Sequence, residues 1–297
     1  MSVPAAYFAV VLVWSTTPLG IVWSSESVSP TMAVLLRMVI AVLLGGGIIY
    51  LRNIELPKHR EALKVYGFSS LGIFGGMMFS YMAAAYIPSG MMSLIFGLSP
   101  ILSALLAQKL LNEPKFSMIR KISMLVSFVG LAIVCSDSIS FNAGSELGLL
   151  YILTAVFFFS LSGVLVKSID IVIHPMATTV GALAVSIPLF LLAWVIMDGT
   201  LPIEHWQSRS IWAIVYLGVF GSFIGFVAYF YVLQKLSAST VALITMMTPV
   251  FALTLGAVLN DESISARLVF GAVFVISGLS FYHWGEKVLR KKALLVK

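Results

Sequence analysis

The chain has 297 residues, of which 60% are hydrophobic and only 10% are charged, and its mean hydropathy is +1.05. Soluble domains carry about 25% charged residues, so a globule of this composition could not cover itself with a water-compatible surface. The single cysteine, Cys135, also excludes a scaffold built on disulfides.

Ten apolar runs follow one another along the chain, and each is about as long as the ~20 residues that a helix needs to cross a bilayer. They cover residues 3–23, 31–51, 65–86, 89–111, 118–136, 147–167, 176–197, 211–233, 238–259 and 266–284. The runs are continuous rather than alternating, which excludes a transmembrane β-barrel. The breaks between them are too short for a folded extramembrane domain. We therefore predict an all-α polytopic membrane protein with ten transmembrane helices.

The positive charges are distributed unevenly over the two sides of this bundle. All of the 18 Lys and Arg residues except Arg37, Arg209 and Arg267 fall in the loops and the C-terminal segment that share a side with the N-terminus. Cytoplasmic loops carry such an excess, so the pattern predicts an inner-membrane protein with both termini in the cytoplasm. The same bases account for the net charge of +6 through attraction to anionic lipid, and no nucleic-acid partner is predicted.

The two halves of the chain repeat each other. A shift of 149 residues superimposes a Gly-x-x-x-Gly pair, a hydroxyl-Pro pair and a loop glutamate: Gly72 and Gly76 on Gly221 and Gly225, Ser99-Pro100 on Thr248-Pro249, and Glu113 on Glu262. A shift of 145 superimposes Trp14-Ser15 on Phe159-Ser160. Each copy holds five spans, an odd number, so the copies must lie in the membrane with opposite orientation. We expect a first repeat at 1–144, a second, inverted repeat at 145–286 and a basic cytoplasmic tail at 287–297.

The order, spacing and duplication of these motifs resemble the EamA-type, ten-helix branch of the drug/metabolite transporter superfamily. The residues that carry the resemblance are Trp14-Ser15-Thr16, Pro30 with Arg37, Ser99-Pro100 followed by Glu113, and Thr248-Pro249 followed by Glu262. The resemblance implies two inverted five-helix repeats and export of amino acids, related metabolites or drugs. A small-molecule substrate and the lipid bilayer are the expected partners, and a monomer is the expected unit.

Arg37 is the charge that lies well inside a span. Ionisable residues at such depth usually face a cavity or a partner, because burial of an isolated charge in lipid is costly. One interpretation is an anion clamp, since a guanidinium can hold a carboxylate through two hydrogen bonds. The alternatives are a structural cap on the carbonyls of residues 27–30 and a conformational latch, which the resemblance favours.

Aromatic, sulfur and hydroxyl side chains supply the other candidates for a central cavity, because such walls suit a neutral or zwitterionic, partly apolar molecule. With Arg37, the predicted substrate-binding residues are Trp14, Ser15, Met77, Tyr81, Phe96, Ser99, Phe159, Ser160, Phe226, Tyr229, Thr245 and Thr248. Pro100 and Pro249 are predicted helix breaks or hinges, since proline removes a backbone hydrogen bond. Glu113 and Glu262 are predicted caps of the fifth and tenth spans.

The sequence offers no pattern for catalysis. All 12 acidic residues lie in loops or at span ends, and no metal-ligand or phosphate-loop spacing is present, so no enzyme activity, metal or cofactor is predicted. The favoured function is a secondary transporter or exporter of small metabolites, foremost aromatic or apolar amino acids. The alternative is an importer or exchanger of a nucleotide-like cofactor or vitamin, which would need more cavity cations than Arg37.

Overall fold

The computed structural model describes residues 2–113, 115–141, 144–236 and 238–295, and this part of the chain contains helices and no strand. The helices are α1 Val3–Ser24, α2 Pro30–Leu51, α3 Arg60–Ala83, α4 Ser89–Phe96, α5 Ser99–Leu110, α6 Met118–Phe141, α7 Ser145–Lys167, α8 Pro175–Met197, α9 Ser208–Tyr216, α10 Gly225–Lys235, α11 Ala238–Asn260 and α12 Ala266–Leu295. A 3-10 turn, Ile203–His205, precedes α9, and a π-helical segment, Leu217–Ile224, joins α9 to α10.

These helices form ten membrane-crossing units, as predicted, because α4 with α5 and α9 with α10 each make one span. Within the described residues, seven units are long and apolar enough to cross a membrane. Two shorter apolar stretches, 247–260 and 266–282, belong to α11 and α12, and α6 supplies the remaining span. Span 3 begins five residues before the predicted 65, because the His59 ring accepts a hydrogen bond from Ala62 N (3.3 Å) and starts the helix inside the polar loop.

The predicted helix break occurs at Pro100. Helix α4 ends at Phe96, and α5 restarts at Ser99 with Pro100 in its first turn, where the missing N–H leaves no vacancy in the hydrogen-bond ladder. The Leu98 carbonyl accepts from Ile101 N (3.0 Å) and Leu102 N (3.2 Å) as the helix resumes. At the equivalent position of the second half, α11 continues through Pro249 without interruption. The break predicted at Pro249 is therefore absent, and the role of Pro249 as a hinge stays a prediction.

Small residues let helices from the two halves approach closely, as the paired Gly-x-x-x-Gly motifs predict. A Cβ on Gly72 would lie 2.6 Å from Ser162 Cβ of α7, and one on Gly225 would lie 3.2 Å from Val13 Cγ1 of α1. Helices α6 and α12 pack mainly against each other at the edge of the bundle, and a Cβ on Gly130 would lie 2.6 Å from Val275 N.

The bundle has two ends, which we name by their loops. The proximal end holds the start of α1 and the loops at 52–59, 111–117 and 168–174, and the distal end holds the loops at 25–29, 84–88, 198–207 and 261–265. Helix α12 continues to Leu295, so the backbone of most of the segment predicted as a tail is helical, while the side chains from 286 onward lie outside the described residues.

The same turn precedes α6 and α12. Asn112 and Asp261 adopt left-handed φ values of 53° and 49°, which Asn and Asp tolerate better than other side chains. Glu113 N then donates to Ala107 O (3.4 Å), and Glu262 N donates to Gly256 O (3.1 Å). All three pairs of residues are related by the shift of 149.

The glutamates of these turns do not cap the helices that follow them. Ser117 Oγ accepts from Arg120 N (3.4 Å) at the start of α6, and Ser265 Oγ accepts from Leu268 N (2.9 Å) at the start of α12. The prediction that Glu113 and Glu262 cap the fifth and tenth spans is thus wrong, because a serine nearer each helix takes the position. Glu262 instead contacts α4, in the other half of the chain.

Candidate functional site

A cavity with about 650 Å³ of atom-free space lies at the centre of the bundle. Its walls come from spans 1, 2, 3, 4, 6, 8 and 9 and combine aromatic, methionine and hydroxyl side chains with one guanidinium. The lining residues are Trp14, Thr17, Pro18, Ile21, Arg37, Met77, Ser80, Met92, Ser93, Phe96, Phe159, Gly221, Phe226 and Thr248. Such a mixture of apolar surface and a few polar groups is typical of a small-molecule site.

The aromatic wall of the cavity is centred on two residues that the internal repeat relates. Trp14 and Phe159 meet edge to face with ring centroids 5.7 Å apart, and Tyr229 lies 5.1 Å from Trp14 and 5.8 Å from Phe159. Helix glycines support both rings: a Cβ on Gly225 would lie 3.5 Å from Trp14 Nε1, and one on Gly76 would lie 3.6 Å from Phe159 Cβ. Equivalent contacts in the two halves thus bring these rings together.

Arg37 is fully buried beside the cavity. Its Nε donates to Ser222 Oγ of the π-helical segment (2.9 Å), its Nη1 donates weakly to the Tyr81 hydroxyl (3.5 Å), and its Cζ lies 5.7 Å from the centre of the Tyr81 ring. Its Nη2 is buried and has no hydrogen-bond partner. Gly221 also lines the cavity, and a Cβ on it would lie 2.9 Å from this atom.

The hydrogen bonds of Arg37 test the interpretation that it caps the loop carbonyls of residues 27–30. The guanidinium bonds α3 and the π-helical segment rather than the carbonyls of residues 27–30, so the interpretation as a loop cap is wrong. Among the described residues no Asp or Glu forms an ion pair with it. A buried guanidinium without a carboxylate partner retains a strong demand for an anion.

Two further cavities connect the centre with the proximal end. A cavity of about 340 Å³ shares Phe159 and Phe226 with the central one. A third, of about 670 Å³, shares Val166 and Leu233 with the second and reaches the α7–α8 loop and Lys167. The three cavities thus form a series from the aromatic wall to the proximal end, each sharing lining residues with the next.

Comparison with known proteins places this architecture in one family. The model of the EamA-like transporter family matches the chain twice, over residues 3–136 and 146–283. The chain is a member of the EamA-like transporter family. It is therefore a multi-pass membrane transporter, and carriers of this family handle small molecules within the bilayer and are typically not enzymes.

Several relatives of the family are similar over nearly their whole length. A protein of Archaeoglobus fulgidus named as an uncharacterized transporter is 26% identical, over 90% of this chain and 93% of its own. YoaV of Bacillus subtilis, also an uncharacterized transporter, is 24% identical over 91% and 93%. YedA of Escherichia coli, an uncharacterized inner membrane transporter, is 25% identical over 92% and 90%. A solved crystal structure superimposes with a TM-score of 0.70 at 18% identity, covering 95% of this chain and 97% of that one, which shows the shared fold.

The structure brings seven of the predicted site residues to the central cavity of this EamA-like protein: Trp14, Arg37, Met77, Phe96, Phe159, Phe226 and Thr248. Tyr229 lines the adjoining cavity, and Tyr81 reaches the site only through Arg37. The Thr245 side chain lies outside the described residues.

Three predicted site serines do not line the central cavity. Ser15 Oγ donates to Val11 O within its own helix (2.6 Å), and Ser160 Oγ donates to the Ser99 carbonyl (3.2 Å). Ser99 thereby contributes a backbone contact between α5 and α7, and none of the three lines the cavity.

Most of the cavity residues that were not predicted lie three, four or seven residues from a predicted one, on the same face of the same helix. Thr17, Pro18 and Ile21 lie three, four and seven residues after Trp14, so they share its face of α1. The same rule relates Ser80 to Met77, and Met92 and Ser93 to Phe96. Gly221 is the one other cavity residue that was not predicted, and no feature of the neighbouring sequence indicates that it lines the cavity.

Proposed function

We propose that this protein is a secondary transporter that moves amino acids with aromatic or apolar side chains across the inner membrane by alternating access, in the direction of export. The observation that carries the proposal is the buried Arg37 guanidinium, whose unpartnered Nη2 adjoins an aromatic cavity. A substrate carboxylate would satisfy that atom, and an apolar side chain would pack on the ring cluster.

The remaining polar groups of the cavity suit the ammonium group of the same substrate. Thr17 and Ser80 use their hydroxyl hydrogens on carbonyls of their own helices, at 2.7 and 2.6 Å, so their oxygens are free to accept. Aromatic faces add a further attraction for a cation. A zwitterion would therefore bind with its charges balanced and would cross with little net charge movement.

A ligand screen on the detergent-purified protein tests the substrate class. A ligand present at about 100 times its Kd stabilises the folded state by about 2.7 kcal/mol, enough to raise Tm by several degrees. We expect phenylalanine and leucine to raise Tm, and phenylalaninamide, which lacks the carboxylate, to have no effect. Nucleotides and phosphorylated vitamins are included, and a shift with those alone would favour the cofactor alternative.

Transport is then measured in proteoliposomes. We expect saturable counterflow of each amino acid that raises Tm, and faster release of the preloaded amino acid from cells that express the protein than from cells that do not. Absence of saturable counterflow across a broad metabolite panel would refute the proposal of metabolite transport by this site.

We also propose that the proximal end is cytoplasmic, which is supported by the excess of Lys and Arg in its loops. A reporter enzyme that is active only in the cytoplasm, fused after Lys297, should be active, and the same reporter inserted in the distal loop at 198–207 should be inactive. The reverse pattern would show the opposite orientation.

A further inference from the structure

The distal end of the bundle is tied together by the side chain of Glu262. Its Oε1 accepts from Ser89 N (3.1 Å) and its Oε2 accepts from Gly90 N (3.2 Å), so one carboxylate binds the first two N–H groups of α4. These groups have no partner within their own helix, and the helix dipole favours an anion at this point. Gly256 makes room for the carboxylate, because a Cβ there would collide with Oε2.

A second set of contacts joins Glu262 to the start of α9 and the end of α1. Asn260 Nδ2 donates to Glu262 Oε1 (3.2 Å), while Asn260 Oδ1 accepts from Trp23 Nε1 (2.8 Å) and Arg209 Nη2 (3.0 Å). The Arg209 guanidinium also stacks on the Trp23 ring at 4.5 Å and lies 3.4 Å from a Glu26 carboxylate oxygen. We call Glu262, Asn260, Trp23 and Arg209 the distal clasp.

The distal clasp adjoins helix ends whose next turns line the central cavity, and it spans the two halves of the chain. Ile21, two residues before Trp23, lines the cavity, and so does Met92, three residues after Ser89. Trp23 and the α4 N-terminus belong to the first half, whereas Arg209, Asn260 and Glu262 belong to the second. A passage that opened on the distal side between α1, α4 and α9 would separate these elements and therefore break the clasp.

We propose that the distal clasp is the gate that closes the cavity on the distal side, and that Glu262 is its latch. This inference rests on the proposed alternating-access function. It differs from the binding role given to Arg37, because the clasp residues line none of the three cavities described. Charge-assisted hydrogen bonds of the clasp stabilise the state in which the distal side is closed, and they are lost when that side opens.

The internal repeat supplies a matched control. Glu113 occupies the same backbone turn at the proximal end, and its side chain is exposed, whereas Glu262 is half-buried in the clasp. Exchanging either glutamate for glutamine removes the same charge from the same local structure. The exchange at the distal end removes the two hydrogen bonds that Glu262 accepts from the first half, whereas the exchange at the proximal end removes an electrostatic attraction between Glu113 and Lys167 of the second half.

Glu262→Gln should open the distal gate, because an amide keeps one acceptor oxygen and directs an N–H₂ group at a backbone donor. The reporter is Met92→Cys in a Cys135→Ser background, and the measurement is its rate of modification by a membrane-impermeant thiol reagent without any substrate. The reagent is added to right-side-out and to inverted membrane vesicles, which makes the result independent of the orientation assigned above.

We expect Glu262→Gln to raise the modification rate from the distal side about tenfold, which corresponds to about 1.4 kcal/mol. Glu262→Asp, which keeps the charge on a shorter side chain, should give an intermediate rate, and it remains informative if the glutamine variant fails to fold. Glu113→Gln should leave the distal rate unchanged. Thermal unfolding of each variant confirms that the protein is intact.

Two results would overturn the gate. One is a distal modification rate in folded Glu262→Gln and Glu262→Asp equal to that of the parent. The other is an equal increase with Glu113→Gln, which would show general loosening of the bundle. The modification assay contains no substrate, so a failed transport assay would refute the proposed substrate without changing the measured modification rates. Likewise, unchanged modification rates would refute the gate without refuting transport.

Discussion

Arg37→Met should weaken substrate binding, and with it transport at low substrate concentration, roughly tenfold or more without lowering Tm. Methionine fills a similar volume but removes the guanidinium whose Nη2 adjoins the cavity. Hydrogen bonds to charged groups contribute about 1.5–3 kcal/mol, so binding of a carboxylate substrate should weaken roughly tenfold or more. The measurements are counterflow in proteoliposomes and the ligand-induced shift in Tm.

The stability of the same variant separates a binding role from a structural one. Arg37 is fully buried and, among the described side chains, has a serine and a tyrosine but no carboxylate as partners. Replacing an uncompensated buried charge by an apolar side chain is often neutral or stabilising. The Tyr81 hydroxyl keeps a partner, because it also accepts from Ser24 Oγ (3.3 Å). We therefore expect a Tm equal to or above that of the wild type.

Arg52→Met is the matched control, since Arg52 is exposed at the proximal end and the exchange is the same. It should change neither transport nor Tm. A fall in Tm of several degrees in Arg37→Met, together with normal transport per folded molecule, would instead identify Arg37 as a structural residue or latch.

The fold could be predicted from the sequence because its main determinants are local. Each span is visible in the sequence as a continuous apolar run. The polar breaks between runs predict the helix ends to within a few residues. The duplicated turn at Glu113 and Glu262 was visible as a repeated sequence at one offset, and the backbone reproduces it. The limits of the two repeats remain predictions, as do the binding roles of the cavity residues.

The candidate site was only partly predictable, because residue type alone does not say which face of a helix meets the cavity. Ser15 follows Trp14 directly but does not line the cavity, whereas Thr17, three residues after Trp14, does. Applying the three- and four-residue spacing from Trp14 would have found Thr17, Pro18 and Ile21. Adjacent residues on a helix do not face the same neighbour.

Contacts between the two halves could not be predicted from the sequence around each residue. Ser222 bonds Arg37 across 185 residues, and Glu262 reaches Ser89 across 173. Position along the sequence predicted that Glu262 caps α12, the helix that follows it. In the folded bundle the two halves pack together so that the N-terminus of α4 lies within reach of the Glu262 carboxylate. The docked arrangement therefore decides which N-terminus the carboxylate binds.

Gly221→Leu should block transport by filling the cavity in front of Arg37. Gly221 lines the central cavity, and a Cβ at this position would lie 2.9 Å from Arg37 Nη2 and 3.1 Å from Leu217 Cδ2. The first contact is with the flexible end of a side chain, so alanine can be accommodated by a small shift of the guanidinium. Leucine would add three more carbon atoms beyond that point and occupy the space that we assign to the substrate carboxylate.

We expect a graded loss along the series: Gly221→Ala lowers affinity for the amino acid several-fold, and Gly221→Leu abolishes both the ligand-induced shift in Tm and counterflow. The leucine variant should still fold, because the new atoms enter atom-free space rather than a packed core, where overpacking costs about 1–3 kcal/mol. Gly47→Leu is the control, since Gly47 lies on an exposed face of α2 and a Cβ there would have no neighbouring atom within 4 Å. Normal affinity in folded Gly221→Leu would place the substrate elsewhere, because a carboxylate on Nη2 and a leucine at 221 cannot share that space.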